Sequence, residues 1–459
     1  MLRLIGTTLL SVILIGCVTH NPPPVEADYI FENVNIIPMD VEVVNPNQAV
    51  AVRNGQIVAI VDQAQSSHIR ASIHVDGNGR YLMPGLADMH VHIRWDPAKM
   101  FKLYLANGVT TVFNMSLSDG SGQYDHVALR EKVQNGDMLG PRYLISGPQL
   151  HKEEVPDLAA VTSILEQHEE HKYDLIKVHG DLSSEVFDAL VSGARKRNLR
   201  IGGHSQHKRP INDSLQLDIL EHVEELLYVA PDDTFVEAND LESFLKAYRA
   251  NVEKLANSEY RTSIAKTFAE SGTFIDPTLI VYATLPIWAD DDQLHQLRFN
   301  EMMRFLPKDV KDYWLSEETN PYQEDGFPLT VQEIKHNFEI MLKLTKDLND
   351  AGVSLLTGTD GFGTLVPGFS LQQEFDLMLD AGLSPYEVLR ASTVNVAEYL
   401  GEQEISGIIR PEYRADFILL DENPLTNIKN ISSVSGVYSS GTWLSRKDIE
   451  NIFMETAHR

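Results

Sequence analysis

Eight short apolar segments, separated by segments with helical patterning, constrain the fold of this chain more than any other feature of its 459 residues. Apolar runs of strand length that alternate with amphipathic segments are typical of repeated β–α units. One amphipathic segment, 183–198, begins at Ser183 or Ser184, either of which suits a helix N-cap. Eight units predict an α/β fold of the (β/α)8 TIM-barrel type, with a doubly wound open sheet as the alternative. The predicted strands are 85–93, 108–115, 142–147, 174–180, 199–205, 217–223, 273–282 and 352–360.

The two ends of the chain are patterned differently from this central region. Apolar residues alternate there with turn residues such as the Asn54–Gly55 and Asn78–Gly79 pairs. This alternation is typical of short strands, so we expect both ends to contribute to one β module. The segments concerned are 29–81, 405–425 and 434–445.

Two long connections, 229–270 and 283–350, are mainly helical in pattern and are expected over or beside the barrel mouth. The aromatic residues in and next to them are expected to pack locally, and as a group they are the candidates for substrate selection. They are Tyr282, Trp288, Phe305, Trp314 and Tyr322.

The first 17 residues resemble an export signal. Arg3 precedes the almost wholly apolar run 4–16, which is shorter than the roughly 20 residues of a membrane-spanning helix. The run ends in LIGC, which resembles the lipobox of bacterial lipoproteins, so Cys17 is the predicted lipidation site. A plain signal peptide, or an anchor helix with an incidental cysteine, is the alternative. Cys17 is the only cysteine of the chain, so no intrachain disulfide can form.

The residue after the predicted lipidation site is Val18 rather than aspartate, which by resemblance indicates sorting to the outer membrane. We therefore expect an exported protein, attached to the cell envelope by its lipid. The prolines within 18–28 predict a stiff, extended tether.

The formal net charge of −28 excludes some classes of partner. A nucleic-acid backbone would be repelled, and so would an anionic membrane surface. We interpret the acidity as a solvated surface that favours solubility. The sequence carries no signal for a particular oligomeric state.

Two histidines one residue apart, His90 and His92, end the first predicted strand. Residues i and i+2 of a strand face the same side, so their imidazoles would stand next to each other. Side chains at the carboxyl ends of barrel strands converge on one mouth. Ligand-type side chains also lie near the ends of four other predicted strands, and this joint placement indicates a metal site. They are Lys177, His204, His222, which Glu221 precedes, and Asp360.

Each of these residues has an ordinary alternative role when considered alone. His204 or His222 could be a buried histidine, Asp360 a helix cap, and Lys177 an ion-pair partner. His179 follows Lys177 by two positions and would face the same side, so we expect it to contact substrate or support a metal ligand. Six further histidines lack such placement and are expected on the surface or in loops. They are His74, His151, His168, His171, His207 and His336.

The motifs LMPGLADMHVHI, DLIKVHGDLSS, LDILEHVEE, LLTGTD and ADFILLDENPL resemble those of the amidohydrolase superfamily. The resemblance extends over nearly all of 29–445 and implies a (β/α)8 barrel with a small β-sandwich built from both chain ends. The expected domains are the signal peptide 1–17, the linker 18–28, the β-sandwich 29–83 and 401–459, and the barrel 84–400.

Lys177 in DLIKVHG resembles the fourth-strand lysine of the binuclear members, such as Xaa-Pro dipeptidases and related carboxypeptidases. The resemblance implies that Lys177 carries a CO2-derived carbamate that bridges two divalent metals. Zinc is the expected metal, and manganese or cobalt would also fit. Asp360 is implied as the acid–base that takes a proton from the metal-activated hydroxide and gives it to the leaving nitrogen. The implied ligands are His90, His92 and Asp360 for the buried metal and His204 and His222 for the exposed one.

The resemblance implies hydrolysis of an amide-type C–N bond in a small molecule, and we expect peptide-like or N-acyl amino acid substrates over cyclic amides. The dipeptidase-like members hold a substrate carboxylate with a tyrosine after the sixth-strand histidine. Tyr228, the candidate here, follows His222 by six positions, which departs from that pattern. Arg94 is expected to form a surface ion pair.

Three alternatives remain open at this point. One is a mononuclear deaminase or imidazolonepropionase-like ring hydrolase, in which Lys177 would be unmodified. Another is a catalytically inactive, lipid-anchored binding protein on the same fold. The third is action of the same metal pair on lactones or phosphotriesters.

Overall fold

The computed structural model describes most of the chain. The described residues are 24–117, 124–207, 209–231, 235, 238, 240–316, 318–322 and 328–458. The expected signal peptide with Cys17 and most of the linker 18–28 lie outside them and stay predictions. Within the described ranges, no helix combines the length and apolarity needed to cross a membrane.

One eight-stranded sheet joins the two ends of the chain. Its strands are β1 (Val25–Ile36), β2 (Asn45–Arg53), β3 (Gln56–Asp62), β4 (Ile69–Asp76), β5 (Tyr81–Pro84), β13 (Phe417–Leu420), β14 (Val434–Ser439) and β15 (Thr442–Ser445). The order is β15-β14-β13-β5-β1-β2-β3, with β4 paired to β1. The ends meet where β5 and β13 run antiparallel with Leu82 opposite Leu419. The last residues of the expected linker belong to β1, because Val25 pairs with Ile69 of β4.

The central region contains seven parallel strands, each within one of the predicted segments. They are β6 (Leu86–Val91), β7 (Val109–Asn114), β8 (Arg142–Ile145), β9 (Ile176–Val178), β10 (Ile201–Gly203), β11 (Ile219–Glu221) and β12 (Phe274–Asp276). They form two sheets, β6-β7-β8 and β9-β10-β11-β12, rather than one continuous sheet.

The eighth predicted strand, 352–360, forms only an isolated bridge between Leu355 and Ile275. The segment nevertheless lies between β12 and β6. Leu356 donates its N–H to Ile275 at 2.8 Å, and Thr357 accepts one from Met89 at 2.7 Å. The bonds toward β6 are irregular: Thr359 and Asp360 both donate their N–H groups to the His90 carbonyl, at 3.1 and 2.6 Å, and the Thr357 hydroxyl donates to the Ala87 carbonyl at 2.8 Å.

The seventh predicted strand, 273–282, is wrong in its second half. The strand ends at Asp276, and a helix begins at Leu279. Pro277 interrupts the strand because it lacks an N–H. The carboxyl group of Glu374 then accepts the N–H groups of Leu279 and Ile280 at 3.0 and 2.7 Å, which satisfies two N–H groups of the first turn of the helix.

Helices separate the parallel strands, as their patterning predicted. The helix predicted from Ser183 begins there, with the Ser183 hydroxyl accepting the N–H of Val186 at 3.4 Å. The helices are α1 (Pro97–Ala106), α2 (His126–Gln134), α3 (Leu158–His171), α4 (Ser184–Arg197), α5 (Ile211–Ser214), α6 (Leu241–Leu255), α7 (Ser258–Ser271), α8 (Leu279–Trp288), α9 (Asp291–Leu297), α10 (Lys308–Trp314), α11 (Val331–Asp350), α12 (Phe369–Ala381), α13 (Pro385–Ala391), α14 (Val394–Leu400) and α15 (Arg446–Thr456). The 3-10 helices among the described residues are Gln63–His68, Val223–Leu227, Glu301–Phe305 and Ile428–Ser432.

The long connections are helical, as expected, and three of their aromatic residues pack with one another, whereas Phe305 packs outside the connection, against Phe369 at 5.2 Å and Phe453 at 6.0 Å. Trp288 is fully buried, and its ring centroid lies 4.9 Å from that of Trp314 and 5.7 Å from that of Tyr322. The final helix α15 lies in a segment expected to be β structure. Ser445 and Asp448 form its capping box.

Candidate metal centre

Three polar side chains form a small triangle at the end of β6. The Nε2 of His90 lies 3.3 Å from the Nε2 of His92 and 3.4 Å from the Oδ1 of Asp360. The Nε2 of His92 lies 2.8 Å from the same oxygen. Ligands held about 2.1 Å from a tetrahedral zinc ion are roughly 3.4 Å apart, which two of these separations match. The donor set and its spacing therefore fit a divalent metal ion.

The backbone around β6 explains why these three side chains meet. His90 and His92 face the same side of the chain, as their spacing predicted. Asp88, one alternation earlier, accepts the N–H and the hydroxyl of Thr359 at 3.0 and 2.7 Å. This places the next residue, Asp360, against the two histidines. Asp360 has φ of 61°, a conformation that costs energy outside glycine and is typical of functional sites.

His222 lies on the other side of His90. The ring centroids of the two histidines are 4.8 Å apart, and ligand atoms of His90, Glu221 and His222 lie within 4.8 Å of one another. The Thr278 hydroxyl donates to the Pro277 carbonyl at 2.9 Å, so it accepts from the Nδ1–H of His222 at 2.6 Å. The Nε2 of His222 then carries the lone pair that a metal would need.

His204 is held by a buried carboxylate. Glu225 accepts hydrogen bonds from the Nδ1 of His204 at 2.6 Å, from the Nε2 of His207 at 2.9 Å and from the N–H of Ser205 at 3.1 Å. Burial alone would raise the pKa of Glu225, but His207 and His204 hold it well below its ordinary value. Glu225 is therefore ionised, and it fixes the Nδ1–H tautomer of His204.

Lys177 is buried, with 1% of its surface exposed, and its Nζ contacts the Oε2 of Glu221. The same carboxylate oxygen lies 3.7 Å from the Nδ1 of His90. Glu221 thus connects Lys177 to the histidine cluster. The sequence indicates no role for Glu221 beyond its position before His222.

Three of the site histidines, His90, His204 and His222, are kept neutral by burial. Burial lowers the pKa of His204 to about 4 and that of His222 to about 3, and it lowers the pKa of His90 well below its usual value. Neutral imidazole is the form that binds a metal ion. Burial would raise the pKa of Asp360, but contact with His90 and His92 holds it well below its ordinary value, so this group is a carboxylate.

The structure brings the six predicted metal ligands together in one cluster. His204 and His222 have ring centroids 4.9 Å apart, which joins His204 to the group around His90. His179, expected to contact substrate or support a ligand, stacks on His204 with centroids 4.3 Å apart. Tyr228, the candidate for holding a substrate carboxylate, donates its hydroxyl to Glu224 at 2.5 Å, and its contact with substrate stays a prediction.

One expectation for the other polar residues is wrong. His168 is buried, because its Nδ1 bonds the Ile164 carbonyl at 2.7 Å within α3. His207, expected on the surface or in a loop, lies in a loop and is half-buried against Glu225. Arg94 is half-buried and lies over the ring of Phe362 at 5.5 Å, and its expected ion pair stays a prediction.

Sequence reasoning missed two buried acidic residues, Glu225, which supports His204, and Asp276, which ends β12. Glu225 follows His222 by three positions in the motif EHVEE, a spacing that places it on the next turn of the 3-10 helix Val223–Leu227. Asp276 ends β12 fully buried, and burial raises its pKa well above the ordinary value. The position of Asp276 at the end of a strand could have identified it from the sequence. No sequence signal indicates that Glu225 bonds His204.

The family model described as the amidohydrolase family matches residues 81–444, which is most of the chain. The chain belongs to the amidohydrolase family. This match confirms the resemblance seen in the motifs.

Individual relatives share shorter or more distant similarity. Ochratoxinase from Aspergillus niger is 36% identical over 90 residues, which cover 19% of this chain and 18% of that protein. The solved structure of a Xaa-Pro dipeptidase with bound methionine has a TM-score of 0.63 at 17% identity, covering 91% of this chain and 99% of that one. Bottromycin amidohydrolase has a TM-score of 0.66 at 19% identity, covering 93% and 89%. These structures show that this amidohydrolase has an α/β, TIM-barrel-like fold.

Proposed function

We propose that this amidohydrolase uses bound divalent metal to hydrolyse an amide-type C–N bond in a peptide-like or N-acyl amino acid substrate. The triangle of His90, His92 and Asp360, with separations of 2.8–3.4 Å, is the observation that carries the proposal. An inactive binding protein would have no need for this buried, preorganised donor set.

When bound, the metal supplies an activated water at neutral pH and polarises the substrate carbonyl. Asp360 is the residue that moves the proton. Its ionised carboxylate accepts a proton from the attacking water and then delivers it to the leaving nitrogen. Glu225 and Thr278 keep the neighbouring histidines in the tautomer that presents Nε2 to the site.

In more detail, we propose that the site binds two zinc ions, and manganese or cobalt could take the place of zinc. His90, His92 and Asp360 would hold one ion, and His204 and His222 the other. A carbamate on Lys177 would lie between them. The burial of Lys177 within the cluster supports this assignment, since carboxylation turns a buried cation into an oxygen ligand.

A second candidate is a mononuclear enzyme, a deaminase or a ring hydrolase, in which Lys177 stays an ammonium group. The contact between Lys177 and Glu221 favours it, because Glu221 provides the counter-charge that an unmodified buried lysine needs.

The peptide-like substrate class is also a proposal. The fold relatives include a Xaa-Pro dipeptidase with bound methionine, and the curated relatives include an ochratoxinase. We further propose that the parallel strands close into a barrel with the segment 352–360. The end sheet would form a β-sandwich, and Cys17 would anchor the exported chain to the envelope.

A hydrolysis screen tests the proposal. Zinc-loaded protein, prepared with bicarbonate, would be assayed on N-acyl amino acids, dipeptides, lactones, cyclic amides and adenine. We expect cleavage of the linear amides, with loss of activity in Asp360→Asn. Turnover of only the cyclic compounds or of adenine would overturn the proposal in favour of the second candidate.

A further inference from the structure

An apolar cavity of about 210 Å³ lies beside the candidate metal centre. Its walls come from the end of the 3-10 helix Val223–Leu227 and from α6, α8 and α11. The side chains that define it are Tyr228, Phe244, Tyr248, Tyr282, Ile334 and Met341. Leu241, also in the lining, is 65% exposed, so the cavity reaches solvent at the start of α6.

Two tyrosines connect this cavity to the metal ligands. The ring centroid of Tyr282 lies 6.1 Å from that of His222. The ring centroid of Tyr228 lies 5.2 Å from that of His207, which shares Glu225 with His204. The cavity therefore lies one aromatic ring away from His222.

The polar side chains of the described lining are partnered with one another. Glu224 accepts from the hydroxyl of Tyr228 at 2.5 Å and is hydrogen-bonded by that of Tyr282. The amide of Asn337 donates to the hydroxyl of Tyr248 at 2.7 Å. Transfer of a charged group into such a space costs free energy unless it finds a partner. The lining therefore favours an occupant without charge.

The size of the cavity sets the size of the occupant. A cavity of about 150 Å³ lined by aliphatic and aromatic side chains binds benzene. A cavity of about 210 Å³ accommodates a phenyl or a branched alkyl group, whereas a hydrogen or a methyl group would leave it mostly unfilled.

We propose that this cavity is the specificity pocket of the enzyme and holds a neutral, bulky apolar side group next to the scissile amide. The proposal rests on the proposed amide hydrolysis and specifies its substrate class: N-acyl or peptide derivatives of aromatic and branched aliphatic amino acids. The residues that determine the preference are Tyr228, Phe244, Leu245, Tyr248 and Met341.

The test compares kcat/KM of the zinc-loaded protein on N-acetyl derivatives of phenylalanine, leucine, glycine and lysine. We expect phenylalanine and leucine to exceed glycine by about 10- to 100-fold, the range that burial of such a side chain provides. Leu245→Trp fills the cavity and should reduce kcat/KM for phenylalanine at least 10-fold more than that for glycine. Leu158→Trp, at an exposed site of α3, is the matched control and should change neither.

A binding measurement makes the test independent of turnover. Fluorobenzene, observed by fluorine NMR, should bind wild-type protein and Leu158→Trp, and its binding should be lost in Leu245→Trp. Turnover without a preference for bulky groups, a preference for lysine, or unchanged fluorobenzene binding in Leu245→Trp would overturn the pocket. Failure to cleave any of the amides would instead contradict the proposed function.

Discussion

The two oxygens of Glu225 tie His204 to His207: Oε1 accepts from the Nδ1 of His204 at 2.6 Å, and Oε2 accepts from the Nε2 of His207 at 2.9 Å. Burial would lower the pKa of His207, but Glu225 outweighs it and raises that pKa above its usual value. A charged pair of Glu225 and His207 therefore orients the neutral His204. Binding of a metal ion by His204 therefore depends on the Glu225–His207 pair as well as on His204 itself.

Glu225→Gln should weaken zinc binding by about 10- to 100-fold, the usual effect of losing a residue that orients a ligand. The glutamine keeps the shape of the side chain and removes the charge that fixes the His204 tautomer. Competition with a chromogenic chelator measures the affinity. Glu339→Gln, at an exposed position of α11, is the matched control. Equal zinc affinity in Glu225→Gln and wild type would show that the charged pair plays no part in metal binding.

Gly203→Ala should disturb the position of His204 and destabilise the fold. Gly203 has φ of 130°, and a Cβ there would lie 2.3 Å from the carbonyl oxygen of Val178, which is backbone and cannot turn away. We expect a loss of about 2 kcal/mol or more in the free energy of unfolding.

Urea denaturation checks this cost. Gly136→Ala serves as control, since Gly136 also has positive φ, 78°, but its Cβ would meet no atom within 4 Å. An equal loss of unfolding free energy in both variants would show that the contact between a Cβ at position 203 and the Val178 carbonyl does not destabilise the fold.

Glu374→Gln should change how stability depends on pH. Burial raises the pKa of Glu374 from 4.5 to about 8 in the folded protein. The folded state therefore holds the proton that the unfolded state releases between these values. The contribution of this group is complete below about pH 4.5 and is lost as the pH rises toward 8, with a slope of up to ~1.4 kcal/mol per pH unit. Unfolding free energies at pH 5, 6, 7 and 8 should therefore fall less steeply in Glu374→Gln. Parallel curves for variant and wild type would contradict a neutral buried Glu374.

Lys177→Ala distinguishes the binuclear proposal from the mononuclear one. If Lys177 carries a carbamate, wild-type protein prepared in carbon-13 bicarbonate should show a bound carbon-13 resonance that the variant lacks. The zinc content should fall from about two to about one ion per chain, because the shared oxygen ligand is removed. A wild-type protein with about one zinc and no labelled carbon would instead favour Lys177 as an ammonium group paired with Glu221.

The cluster was predictable because its ligands lie near strand ends. The spacing of His90 and His92 places both rings on one face, and the parallel strands bring Lys177, His204 and His222 to the same mouth. The hydrogen bonds that position these ligands come from residues distant in the sequence, so the spacing of motifs does not predict them. Thr359 is positioned by Asp88 across 271 positions of the chain, and Glu225 bonds His204 from 21 positions away.

The fold was predictable for similar reasons, and the prediction failed where residues distant in the sequence determine the local structure. Short apolar runs separated by amphipathic segments located the seven parallel strands of the described residues and the helices between them. The prediction assigned residues 279–282 to a strand because their apolar run has strand character. A helix begins there instead, because the carboxyl group of Glu374, about a hundred positions later in the chain, accepts its first N–H groups. The segment 352–360 lies where it was predicted but forms no regular ladder, since Thr359 and Asp360 both donate to the one carbonyl of His90.

The most direct test is zinc titration of amide hydrolysis in protein that has been stripped by a chelator and kept in bicarbonate. Initial rates on N-acetyl-leucine would be recorded as zinc is added. We predict no hydrolysis before zinc, an increase that saturates at about two equivalents per chain, and no increase in Asp360→Asn. Hydrolysis that persists in the stripped protein, or none at any zinc concentration, would contradict the account.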